Sequence, residues 1–186
     1  MMLQFGQIAE HGRKRVPDAT GIPALEVAPS EDDAFLLAIE VQSEPDPDKP
    51  LDWACHVARL HLMYELPILL LVVCRNRTTA TWAAGPFESR FGTWTFQVLR
   101  PLVLGPDDLP EIMDASSIAQ QPVLATLAAI THSEGEKITD ALEALARGMR
   151  SLDRDTALYL CRLLEVGLGD TAARETWIRL LTAGVL

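Results

Sequence analysis

Pro67 is followed by an unbroken apolar run, Ile68-Leu69-Leu70-Leu71-Val72-Val73-Cys74. A run that does not alternate has to be buried on both faces, so it reads as a strand inside a mostly parallel sheet. Even with Leu66 and Pro67 it is too short to span a bilayer. Residues 51–66 before it place Trp53, Val57, Leu60 and Tyr64 at three- and four-residue spacing, the signature of a helix with one apolar face. Residues 34–42 supply an earlier strand. Strand, helix and strand make a βαβ unit, whose crossover is expected to be right-handed.

Upstream, residues 24–28 suit a short strand. Pro29-Ser30-Glu31-Asp32-Asp33 supplies turn chemistry, so an antiparallel hairpin with residues 34–42 is expected. Residues 43–50 hold three prolines and several charges and read as an exposed loop. Asp48 or Asp52 near the helix start suits the helix dipole. Residues 79–84 and 93–99 are rich in β-branched and aromatic side chains and read as two further strands. The second extends toward Leu104 unless Pro101 bends it. Trp82 and Trp94 are expected as core or edge aromatics.

Gly105-Pro106-Asp107-Asp108 marks a change of composition, and the segments beyond it read helical: 122–131, 137–152, 154–168 and 171–182. Ser133, Asp153 and Asp170 are candidate caps, and Gly184 a helix stop. The expected division is an α/β core over residues 1–108 and a helical region over 109–186.

The chain has 186 residues, 48% of them hydrophobic and 23% charged, the balance of a globular protein. Its charge of −10 disfavours broad adhesion to nucleic acid. Arg13-Lys14-Arg15 is its one basic cluster and reads as a solvated surface run. Cys55, Cys74 and Cys161 form neither a zinc-ligand spacing nor a disulfide framework and read as buried free thiols. No amino-terminal segment is apolar enough for a secretory signal, so a cytoplasmic protein with no membrane segment is expected. His56 and His61 lie five residues apart on different helix faces, and His132 has no cysteine or carboxylate pattern beside it. All three read as packing or surface residues.

Glu40 and Gln42 carry the chemistry. In an extended strand they share one side while Ile39 and Val41 share the other. A carboxylate and an amide projecting together from a core strand are costly to bury without partners. They suit a divalent-metal site, with Glu as a hard oxygen ligand and Gln positioning water or substrate. The plainer reading is a strand end emerging beside a charged loop.

The order Ile39-Glu40-Val41-Gln42, Trp53, residues 67–74, Trp82 and Arg100-Pro101-Leu102-Val103-Leu104-Gly105-Pro106-Asp107 resembles the Rpn-type recombination-promoting nuclease and transposase family. That family is a branch of the PD-(D/E)xK nuclease superfamily. The likeness runs from about residue 18 to the end and includes Pro122-Val123-Leu124-Ala125 and residues 129–133. It implies a PD-(D/E)xK nuclease-like mixed sheet with a helical carboxyl-terminal half. It also implies Mg²⁺-dependent endonuclease chemistry on DNA, linked to recombination or mobile elements.

By the resemblance, Glu40 is a metal ligand and Gln42 replaces the motif's lysine. Asp18, in Pro17-Asp18, is the candidate first aspartate and second metal ligand. If the hairpin turns near Glu31, Glu40 faces Ile22, and Asp18 and Glu26 each lie about 13 Å along the strand. A bulge around residues 21–23 brings Asp18 closer. Asp18, Glu26 and a lost ligand are the three alternatives. The other functional class is a catalytically depleted binding module of the same fold. Apolar helical faces in the second half suit packing on the sheet or a homodimer.

Overall fold

The computed structural model describes residues 12–16, 24–27, 34–111 and 114–183. Compact units cover residues 11–104 and 105–186. The first is a mixed α/β unit. Its strands are β1 (Gly12–Val16), β2 (Ala24–Val27), β3 (Phe35–Gln42), β4 (Ile68–Cys74), β5 (Phe87–Phe91), β6 (Trp94–Leu99) and β7 (Leu102–Leu104). Helices α1 (Lys49–Tyr64) and α2 (Arg77–Ala83) interrupt them.

The main sheet runs β1-β2-β3-β4-β7, and β5-β6 form a separate two-stranded ribbon. β2 runs antiparallel to both of its neighbours, β1 and β3, whereas β4 lies parallel to both β3 and β7. The antiparallel pairing of residues 24–27 with β3 and the βαβ order of β3, α1 and β4 agree with the sequence reading. Arg13-Lys14-Arg15 lies on strand β1, at the edge of this sheet among the described residues.

β3 and β4 pair in register from Leu36 opposite Ile68 to Gln42 opposite Cys74. Leu37, Ile39, Leu71 and Val73 line one face and are buried. Ala38, Leu70, Val72 and Cys74 line the other, where Trp53, Val57, Leu60 and Tyr64 of α1 pack on them. That is the apolar helix face expected from the spacing. Trp53 also meets Trp82 and Phe87, with ring centroids 5.6 Å and 5.9 Å away. These rings join the ribbon to the core.

Residues 79–84 are not a strand. Asn76 stands in an extended conformation at the head of α2, and its side-chain oxygen accepts from Thr79 N at 2.9 Å. Thr81 donates to the carbonyl of Arg77 within the helix at 2.9 Å. Capping and these local bonds outweigh the β preference of two threonines. The second strand is supplied instead by β5. Pro101 ends β6, and β7 departs to pair with β4. Cys55 is exposed and Cys161 half-buried, so of the three cysteines only Cys74 fits the expected buried thiol.

The second unit holds α3 (Ala115–Gln120), α4 (Pro122–Thr131), α5 (Ile138–Met149), α6 (Arg154–Leu168) and α7 (Ala172–Thr182). Asp153 caps α6, accepting from Thr156 N at 3.0 Å. Thr171, not Asp170, caps α7, while Asp170 pairs with Arg174. Ser133 is buried and caps no helix, because α5 starts after Lys137. Gly184 lies outside the described residues. Among the described residues, no helix is long and apolar enough to cross a membrane.

Two glycines set how closely these helices meet. A Cβ on Gly148 of α5 would overlap Cγ2 of Ile118, and one on Gly167 of α6 would overlap Cδ1 of Ile130. Glycine inside a helix ordinarily costs about 1 kcal/mol relative to alanine. Here the overlap reverses the sign. Gly148→Ala and Gly167→Ala should each lower stability by about 1–3 kcal/mol, read as a fall in the urea midpoint.

Candidate functional site

Glu40 and Gln42 stand at the carboxyl end of β3, where parallel strands in α/β sheets commonly present their chemistry. They alternate with Ile39 and Val41 and so share the face that carries Ala38, the face covered by α1. Leu36 and Leu37 are fully buried in the sheet, as expected. Glu40 is the one carboxylate of the β3-β4-β7 ladder, and its side chain is 12% exposed.

The carboxylate is paired. Lys49 Nζ, from the first turn of α1, donates to Glu40 Oε1 at 3.0 Å. The hydrogen bond from Glu40's side raises the Lys49 pKa above its ordinary 10.5, although partial burial works against it. Lys49 was hidden in the sequence because it sits in a charged, proline-rich stretch read as loop. The available signal is topological: in a βαβ unit the crossover helix begins just beyond the end of the first strand. A cation in its first turn therefore falls near that strand's last polar residue.

Gln42 is 6% exposed and opposite Cys74. Its side-chain Nε2 donates to the carbonyl of Glu44 at 2.6 Å, which turns the chain away from the sheet. The carbonyl of Ser43 accepts from Asn76 Nδ2 at 2.9 Å and from Thr79 Oγ1 at 3.1 Å. The end of β3 is thus held by the head of α2. Burial pushes the Cys74 thiol up to about 12, which leaves it protonated and a poor nucleophile near neutral pH.

Asp18 and Ile22 lie outside the described residues. Glu26 is on β2 with its Cα opposite Leu36, four positions before Glu40, a separation of about 13 Å along the strand. The β2–β3 register does not bring Glu26 to Glu40. Among the described residues no three His, Cys, Asp or Glu side chains group to hold a metal ion. The histidines serve local structure: His61 Nδ1 lies 2.7 Å from the carbonyl of Leu66, and His132 Nε2 lies 2.9 Å from that of Leu109. His56 is buried in α1.

A cleft of about 360 Å³ opens beside the first turn of α1. Pro47, Pro50, Leu51, Ala54, Phe87 and Leu99 contribute to its walls, and Glu40 and Gln42 do not. The chemistry of the strand end and this cleft are therefore separate features.

The ion pair makes a pH-dependent contribution to folding. A lysine pKa raised in the folded state gives stabilisation that is complete below 10.5 and lost as pH rises through the folded value. Lys49→Met should cost on the order of 1 kcal/mol near neutrality, since a third of the lysine side chain faces screening water. The difference from wild type in urea unfolding should shrink above pH 10.5. Comparison with protein-family models, with curated proteins and with solved structures finds no match for the chain.

Proposed function

We propose that this chain is a cytoplasmic nuclease-like protein acting on DNA phosphodiesters, of the kind linked to recombination or mobile elements. Its PD-(D/E)xK-like site would comprise Glu40, Gln42, Lys49 and Asp18, with Mg²⁺ as cofactor. The observation that carries this reading is Lys49 Nζ at 3.0 Å from Glu40 Oε1. An E-x-Q strand end lacks the cation of an E-x-K motif, and the first turn of α1 returns one to the same carboxylate. A positive charge there suits the negative charge that develops on a phosphate under attack.

Glu40 has the hard oxygen chemistry that Mg²⁺ prefers. The described donor set is incomplete, and Asp18, outside the described residues, would have to add to it. When bound, the metal supplies a more acidic water and charge neutralisation. The chain's own part is simpler. Glu40 offers an anchored oxygen, Lys49 a cation held against it, and Gln42 a strand end held to Glu44.

A second reading, a catalytically depleted binding module, is favoured by one feature of the same pair. Lys49 already neutralises Glu40, and the described residues hold no three-ligand group to displace it.

Plasmid nicking under Mg²⁺ titration separates the two. The nuclease reading expects metal-dependent nicking by the purified chain. Glu40→Gln should reduce it about 100-fold or more while folding is retained. Lys49→Met should lower the rate about tenfold or more by removing a charge near the transition state. Wild type with neither nicking nor calorimetric Mg²⁺ binding leaves the depleted module as the reading.

A further inference from the structure

The β5-β6 ribbon exposes an aromatic surface that the strand-end chemistry does not use. Phe91 is 81% exposed, Trp94 69% and Phe96 57%, with exposed Val98 beside them. Phe91 and Trp94 face each other across the turn at Gly92-Thr93, and the Trp94 and Phe96 rings lie 6.2 Å apart. The opposite end of the ribbon is anchored, since Phe87 and Leu99 pack into the core of the unit. These rings are thus presented on a seated element.

Burying this surface is worth more than burying scattered apolar residues. At roughly 200 Å² per aromatic side chain, the three rings leave on the order of 400 Å² in water. Two such surfaces brought together would bury about 800 Å² from the rings alone. Modest flanking contacts would then pass the roughly 1,000 Å² of a specific interface.

The ribbon's charge selects the occupant. Its one cation, Arg90, is ion-paired with Glu88, so the ribbon is locally neutral in a chain of charge −10. A nucleic-acid strand needs free cations for its phosphates, and none stands on these two strands. A second copy of the chain meets no such requirement. The neutral ribbon is a surface on which two acidic chains can meet with no unpaired like charges at the contact itself.

We propose that the β5-β6 ribbon is a self-association surface, on which two copies of the chain pair about a twofold axis through Trp94 and Phe96. An isologous contact of this kind closes and does not propagate.

Sedimentation of the full chain from about 1 to 100 μM should show a monomer–dimer equilibrium. Trp94→Ser/Phe96→Ser should weaken it at least tenfold, with an unchanged circular dichroism spectrum. Hydrogen exchange on wild type gives a readout independent of that variant: amides of residues 94–98 should exchange more slowly as concentration rises. A wild type that stays monomeric overturns the proposal. So does a dimer whose affinity the double substitution leaves unchanged, or whose formation leaves residues 94–98 unprotected. Quenching of Trp94 emission by a single-stranded oligonucleotide, with no dimer formed, would overturn it in favour of a base-stacking platform.

Discussion

Everything in the α/β unit is arranged around the in-register parallel pairing of β3 with β4. Both strands are apolar on both faces over most of their length, so neither has a solvent side to fall back on. Pairing them satisfies backbone groups that would otherwise be buried without partners, and it creates the surface on which α1 lies. It also fixes where polarity can occur. Glu40 and Gln42 sit at the last positions of β3 because only there does the ladder come close enough to solvent and to the head of α1 to tolerate them.

The rest of the unit solves problems that this pairing leaves. The exit of β3 points the Ser43 carbonyl outward, and the head of α2 donates to it from Asn76 and Thr79. Glu40 is a partly buried charge, and Lys49 answers it. The α1 face of the sheet needs cover beyond the helix, and the Trp53, Trp82 and Phe87 rings provide it by recruiting the ribbon. The helical unit uses different means. Side-chain caps start three of its helices, and bare glycine backbone admits isoleucine side chains between them.

What the sequence shows plainly is what depends on repeated local signals. The 68–74 strand, the face of α1 and the 154–168 helix are written in uninterrupted or strictly spaced apolar residues, and single polar neighbours do not change them. Residues 79–84 read as a strand but belong to the helix Arg77–Ala83, because the decisive residue is one asparagine before it while the threonines within argue for a strand. The bend that Pro101 predicts does divide residues 94–99 from 102–104, but propensity carries no information about which sheet each piece joins. At the site, the shared face of Glu40 and Gln42 follows from strand geometry alone. Lys49 does not, because its role depends on a helix returning over a strand nine residues away in sequence.

The double anchoring of the Ser43 carbonyl separates two things that usually vary together. The position of the strand end is set by α2, which follows β4, whereas the charge beside it is set by α1, which precedes β4. Of the intervening loop of prolines and acids, the strand end uses the backbone carbonyls of Ser43 and Glu44 and none of the loop's prolines. A lineage of such chains could therefore lengthen or shorten that loop beyond Glu44, or exchange the residue at the start of α1, while the sheet stayed in place. The polar character of the strand end is in this sense a replaceable part mounted on an invariant frame.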